Sequence, residues 1–220
     1  IKAIIDTLSS NGYNYMELAV GNDALRFLLD DMSVTVGGTT YSSENVKTGI
    51  QAGNKAYYNA GSVNELSQDE MDSIISYANK NGISIIPLLN SPGHMDAIID
   101  CMESKELGMS NVAYNGSART INVANETAVN FTTALIKKYV EYFEGKGCKV
   151  FNMGADEYAN DLEYGGGFSS LISGGNYGYF VKYVNSIAAV IKNAGMVPMA
   201  FNDGIYYNGN TSGGIFDSDI

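Results

Sequence analysis

Basic residues are scarce in this chain. Its 220 residues hold 13 Lys and Arg against 24 Asp and Glu, a formal charge of −11, with a pI near 4.4. Proteins that grip nucleic acid use clusters of Lys and Arg to neutralise phosphates, so no nucleic-acid partner is expected. The same shortage removes a polybasic contact with anionic lipid. No apolar run approaches the ~20 residues that a membrane-spanning helix needs, so no membrane insertion is expected. There are only two cysteines, Cys101 and Cys148. Their spacing fits neither a metal site nor a redox pair, and they are too few for a disulfide framework, which leaves the role of buried thiols. The glycine-rich stretch at 165–170 lacks the Lys of a phosphate-binding loop. No Gly-x-Ser-x-Gly elbow presents a nucleophilic serine, and the carboxylates match no EF-hand spacing. No cofactor and no metal are expected.

What is present fits one folded domain. Hydrophobic residues make up 45% of the chain, enough at this length for a substantial core. Sixteen tyrosines and many asparagines suit a polar, sugar-like ligand. The chain starts at Ile1, inside a helical pattern, and stops after "GGIFDSDI" with no helix to follow. It therefore reads as a piece of a longer protein, and the absence of an export signal carries no weight.

The periodicity alternates between helix and strand. Ile1, Ile4, Ile5 and Leu8 fall at i, i+3, i+4 and i+7, and Asn11-Gly12 ends that helix. A strand is expected over 13–20. "MSVTVGGTTY" alternates around Gly37-Gly38, a hairpin signal, and a helix is expected over 42–59. Ser67 and Glu70 form a capping box, Met71, Ile74, Ile75 and Ala78 make one apolar face, and Gly82 stops the helix. "ISIIPLL" at 83–89 is almost wholly apolar, as a parallel strand covered on both faces would be. Helices over 95–106, 125–143 and 177–194 and strands over 149–153 and 196–201 continue the pattern. Four strands alternating with helices predict a parallel α/β sheet with a β-hairpin insertion after the first strand. A barrel and an open sheet both fit.

Each strand runs into a polar segment: "GNDALRFLLDD", "NSPGHMD", "GADEYAND" and "NDGIYYN". Ligand sites in parallel α/β folds gather beyond the carboxyl ends of the strands. Asp156 and Glu157 lead the candidates. Neighbouring side chains of a strand point to opposite faces, so two adjacent acids share a site only where the backbone turns, as Gly154-Ala155 permits; a solvated acidic loop is the alternative. Most glycosidases place two acids across the sugar ring, an arrangement that adjacent acids do not offer. They fit the exception in which the sugar's own 2-acetamido oxygen attacks. His94, the only histidine, could orient the acid or simply bond locally at a helix start. Asn202 and Asp203 could hold sugar hydroxyls, or form a turn with Gly204. Asn22-Asp23 and Asp30-Asp31 are weaker candidates, since charged loop residues are usually just solvated.

"FNMGADEYAND", with "IPLLNSPGHMDA" before it and "MAFNDGIYY" after it, resembles the family 20 glycoside hydrolases, in particular the exo-β-N-acetylhexosaminidase domains of Gram-positive surface proteins. "LRFLLDDMS" also looks like that branch. The resemblance covers nearly the whole chain in order. It implies a (β/α)8 TIM barrel of which 1–220 is a partial catalytic domain, the first strand and the last strands lying outside it. It implies retaining, substrate-assisted removal of terminal β-linked GlcNAc or GalNAc. Glu157 would be the acid and then the base, Asp156 would hold the acetamido N–H, His94 would sit near the acid, and Asn202 and Asp203 would line the sugar pocket. It also implies an extracellular or cell-surface location in a Gram-positive bacterium. Asn152 and Ala155 depart from the family's usual His-x-Gly-Gly-Asp-Glu run. The sugar-gripping Arg would precede Ile1. The Trp and Tyr walls of the acetamido pocket would follow Ile220, which accounts for a chain without Trp. A partial barrel leaves two open sheet edges, through which a homo-oligomer could form, and is expected to hydrolyse little alone. Disaccharide release of the lacto-N-biosidase type and a non-catalytic carbohydrate-binding module are the alternatives.

Overall fold

A computed structural model describes residues 1–162, 167–205 and 213–220. Tyr206, Tyr207 and Asn208 of the last polar segment, and the start of the glycine-rich stretch, lie outside the described residues. The chain opens with α1 (Lys2–Ser10), then β1 (Tyr15–Asn22) and β2 (Ala24–Leu25). The hairpin β3 (Val34–Val36) and β4 (Thr39–Tyr41) follows, then α2 (Ser43–Tyr58) and α3 (Gln68–Lys80). Next come β5 (Ser84–Ser91), α4 (Asp96–Glu103), α5 (Glu126–Gly145) and β6 (Val150–Gly154). Helices α6 (Phe168–Ser173) and α7 (Tyr177–Asn193) lead to β7 (Val197–Met199).

Strand order decides between the two architectures left open by the sequence. The main sheet runs β2-β1-β5-β6-β7, and β1, β5, β6 and β7 pair in parallel. Open doubly wound sheets reverse strand order at a switch point. Here the four parallel strands follow one another in chain order with a helix between neighbours, as in a segment of a (β/α)8 barrel. Phe151 and Met153 of β6 are buried, and Phe151 packs on Phe143 of α5. Asn152, on the opposite face, donates to Glu17 of β1 at 2.8 Å, two strands away, so a polar layer lines the inner face.

Local chemistry explains the elements. Ser67 and Glu70 exchange both capping-box bonds at the start of α3, and Asn125 accepts from Thr127 and Ala128 at the start of α5. Gly37 and Gly38 both take positive φ, the turn that matches strand twist in a two-residue hairpin. A Cβ on Gly53 of α2 would lie 2.7 Å from Ala97 Cα. The bare glycine lets α2 and α4 touch backbone to backbone, and this contact carries Tyr57 toward the strand ends.

Some expectations shift. Helix α4 stops at Glu103 rather than 106, because Ser104 leaves helical geometry (φ −57°, ψ 159°). Strand β7 is limited to three residues, although Phe201 still donates to the Gly154 carbonyl at 2.7 Å. Ile5 of α1 is buried, but Ile1 and Ile4 of the same apolar stripe are 43% and 56% exposed. Strand β2 and helix α6 were too short to leave a periodic signal.

Candidate active site

The turns after β1, β5, β6 and β7 converge, and the residues at their tips are held in unusual backbone geometry. Asp23, His94, Ala155, Glu157 and Ala159 all have φ between 45° and 66°, a region that L-residues enter only when their surroundings hold them there. The bracing is visible. Asp23 N–H donates to the His94 carbonyl at 2.6 Å, and Ala97 N–H to the Asp23 carbonyl at 2.9 Å. The segment between α4 and α5 adds Met95 N–H to Arg119 O, Ile121 N–H to Pro92 O, and Ala159 N–H to Thr120 Oγ1.

Two glycines permit the close approach. A Cβ on Gly93 would meet the Asp156 carbonyl oxygen at 2.9 Å. Gly154 has φ +76°, and a Cβ there would fall 1.8 Å from Asn90 Oδ1. Gly154→Ala is therefore expected to lower stability by about 2–4 kcal/mol, the left-handed strain and the steric displacement acting together. The midpoint of chemical denaturation checks this.

The side chains form one connected set. His94 Nδ1 lies 2.7 Å from Asp23 Oδ1, and its Nε2 lies 3.2 Å from Glu157 Oε2 and 3.7 Å from Asp156 Oδ2. Asn160 donates to Glu157 Oε2 at 2.6 Å, and Asn90 donates to Asp156 Oδ1 at 2.7 Å and to Asn22 Oδ1 at 2.9 Å. The His94 side chain is 10% exposed and that of Glu157 is 55%, so the histidine lies behind an acid that faces solvent. Burial works against the charge of Asp23, but hydrogen bonds from His94 and Tyr57 and the nearby His94 and Arg119 charges outweigh it and hold its pKa below the usual value. Tyr57 donates to Asp23 Oδ2 at 2.8 Å, and that bond, with burial, pushes the phenol up to about 12.

Asp156, Glu157 and His94 thus meet. Asp203 also reaches the site, where its Oδ2 accepts from the backbone N–H of Glu157 at 2.8 Å. Asn202 is exposed at the start of the same turn. Asn22 and Asp23, weak candidates in the sequence, are part of the set. Asp30 and Asp31 are not: Asp31 pairs with Lys138 at 2.8 Å, and the Asp30 carbonyl takes Lys47 and Ser43. Asn90, Tyr57, Asn160 and Arg119 drew no attention in the sequence. Asn90 had a signal, a lone amide ending an apolar strand, whereas the others are recognisable only in three dimensions. His94, Asp156 and Glu157 bring ligand-type atoms within 4.8 Å of one another. Three donors fall short of the six or more oxygens that a hard cation gathers, and all three residues are already hydrogen-bonded, so the cluster does not read as a hard-cation site.

Comparison with known proteins agrees with this geometry. The profile of the glycosyl hydrolase family 20 catalytic domain matches residues 1–207. The chain belongs to glycosyl hydrolase family 20. Two solved structures of the pneumococcal exo-β-D-N-acetylglucosaminidase StrH, which carries tandem modules of family 20, are 45% identical, with TM-scores of 0.92 and 0.93 over 99% of this chain and 52% of theirs. Dispersin B shares the fold at 21% identity, with a TM-score of 0.67 over 100% of this chain and 57% of its own. The lacto-N-biosidase of Bifidobacterium bifidum is 28% identical over 155 residues, 66% of this chain and 13% of that protein. The chain spans about half the length of these solved relatives and 13% of the curated one. Within family 20, the strand order and hairpin place it as a partial TIM barrel.

Proposed function

We propose that this family 20 domain removes terminal β-linked N-acetylhexosamine, GlcNAc or GalNAc, from glycans by retaining, substrate-assisted hydrolysis. One observation carries the reading. Asp156 and Glu157 both lie within 4 Å of a single histidine nitrogen. They stand side by side, so no sugar ring fits between them, and the flanking arrangement of other glycosidases is closed to them.

In this reading Glu157 protonates the glycosidic oxygen. The acetamido oxygen attacks the anomeric carbon from the opposite face, and the leaving alcohol departs with the Glu157 proton. Asp156 accepts the acetamido N–H and offsets the positive charge of the oxazolinium ring. Glu157, now a carboxylate, takes a proton from the incoming water, and the ring opens with net retention. Its Oε2 is held by His94 and Asn160, which leaves Oε1 for the substrate. The Asp23 carboxylate accepts from His94 Nδ1–H, and this bond turns Nε2 toward Glu157. Asn202 and Asp203 line the pocket rim, Asp203 through its hold on the Glu157 backbone.

The segment would act within a closed barrel, since sugar-gripping residues are assigned to the remaining strands; alone it is weak, and copies could pair along the open edges. By the same resemblance the parent is extracellular or at the cell surface of a Gram-positive bacterium. The B. bifidum relative gives a second reading, release of a disaccharide unit.

The test compares 4-nitrophenyl β-GlcNAc with 4-nitrophenyl β-glucoside in a barrel-complete protein carrying this segment, and with lacto-N-tetraose for the second reading. The glucoside lacks the internal nucleophile, and its kcat/KM is expected to be at least about 10³-fold lower. Equal handling of both sugars would overturn the mechanism.

A further inference from the structure

Asp96 opens α4, two residues after His94. Its Oδ2 is buried and has no hydrogen-bond donor among the described residues. The next residue, Ala97, donates its N–H to the Asp23 carbonyl at 2.9 Å, which brings the Asp96 carboxyl within electrostatic reach of that of Asp23, whose two oxygens already accept from His94 and Tyr57. Two facing carboxylates repel, and a buried oxygen without a donor is unfavourable. A single proton between them removes both problems.

The groups around the pair do not supply another answer. From α2, the Tyr57 hydroxyl is directed to Asp23. From the turn after β5, His94 Nδ1 is likewise directed to Asp23. From the segment between α4 and α5, Arg119 contributes charge; its Nη1 is turned to Asn160 at 3.4 Å, and its buried Nε finds no partner among the described residues and so does not bond Asp96 either. The carboxyls cannot swing apart freely, because the two turns are laced by Asp23 N–H to His94 O and Ala97 N–H to Asp23 O. An acid in the first turn of a helix ordinarily serves the helix dipole, and that role favours the charged form. The orphaned Oδ2 points the other way.

We propose that Asp96 donates its carboxyl proton to Asp23, extending the chain Asp23–His94–Glu157 by one member and making Asp96 a positioning residue for His94. The assignment to catalysis rests on the reading of Glu157 as the acid–base group; the shared proton itself does not. Burial, and then the Asp23 charge, push Asp96 up to about 6. The proton is held below that pH and lost above it, where a second negative charge faces Asp23 and the orientation of His94 loosens. The four-residue chain is therefore complete in mild acid.

His94 is the only histidine, so its two ring-nitrogen signals are assigned without overlap, and Asp96→Asn separates a step relayed from the pair from protonation of the ring itself. The chain is prepared with carboxyl-13C aspartate and 15N histidine and followed by NMR from pH 3 to 9. The Asp96 carboxyl carbon should titrate near pH 6 while that of Asp23 stays ionised, and both His94 nitrogens should show an inflection at the same midpoint. Asp96→Asn keeps a donor toward Asp23, and that inflection should vanish. An Asp96 midpoint below about 4.5, in the ordinary aspartate range, or His94 nitrogens blind to the step, would overturn the proposal on the wild-type chain alone, whether or not the variant folds. A chain that hydrolyses nothing leaves these titrations in place, so failure of the enzyme reading and failure of the shared proton are told apart.

Discussion

Replacing Glu157 with Gln should lower kcat on a GlcNAc-terminated oligosaccharide by about 10³-fold or more, within the range that general acid–base groups contribute. KM should change little. Gln has nearly the same shape and can still meet His94 and Asn160, so the pocket stays formed while the transferable proton is gone. The two substrate types separate the two roles proposed for Glu157. A 4-nitrophenyl leaving group needs little protonation, so formation of the oxazolinium should suffer far less than with the oligosaccharide. Attack by water still needs a base and becomes limiting. Azide, which needs no base, should then restore turnover on the aryl substrate and yield the β-glycosyl azide. Steady-state kinetics in the barrel-complete protein, with product analysis, reads all of this. A variant that hydrolyses the oligosaccharide at near wild-type rate would mark the domain as a carbohydrate-binding module or the acid as misassigned.

Asp156→Asn should cost about 10²–10³-fold in kcat on the acetamido substrate, the range seen when one fixed partner of a developing charge is removed. The mechanism asks Asp156 to accept an N–H and to face a cation. An asparagine turned with its carbonyl toward Asn90 presents an NH2 to the acetamido N–H, donor against donor, and supplies no charge. Substrates without the amide never used this contact, so their slow background rate should hardly move. The discriminating quantity is the ratio of kcat/KM between GlcNAc and glucose substrates, which should fall in the variant. An unchanged ratio would remove Asp156 from the acetamido pocket.

The sequence made the frame readable where its signals are local. "ISIIPLL" became β5, the capping box of Ser67 and Glu70 began α3, and the paired glycines of "VGGT" turned the hairpin. Asp156, Glu157 and His94 stood out because small residues and a proline-glycine turn flank them. Asp23 was undervalued for a physical reason: its partner His94 is 71 residues away, and nothing local separates a braced carboxylate from a solvated one. Asp203 was recognised, but its bond to the Glu157 backbone depends on how two turns pack. Nothing local marks Asp96, and its significance comes from an oxygen that finds no donor among the described residues. The stripe of α1 was read as amphipathic, yet periodicity cannot say what covers it, and Ile1 and Ile4 stand open.

The left-handed residues at the strand tips bear on how the protein comes apart. Asp23, His94, Ala155, Glu157 and Ala159 each hold a conformation disfavoured by roughly 1–2 kcal/mol, kept in place by bonds between turns rather than within the sheet. Thermal fluctuations will release that tension at the mouth while the paired strands beneath stay intact. Amide deuteration should accordingly reach the tips through partial openings well below the free energy of global unfolding. The strand tips are thus less durable than the sheet that carries them, and in a barrel-complete protein loss of the proposed activity on heating should precede loss of secondary structure.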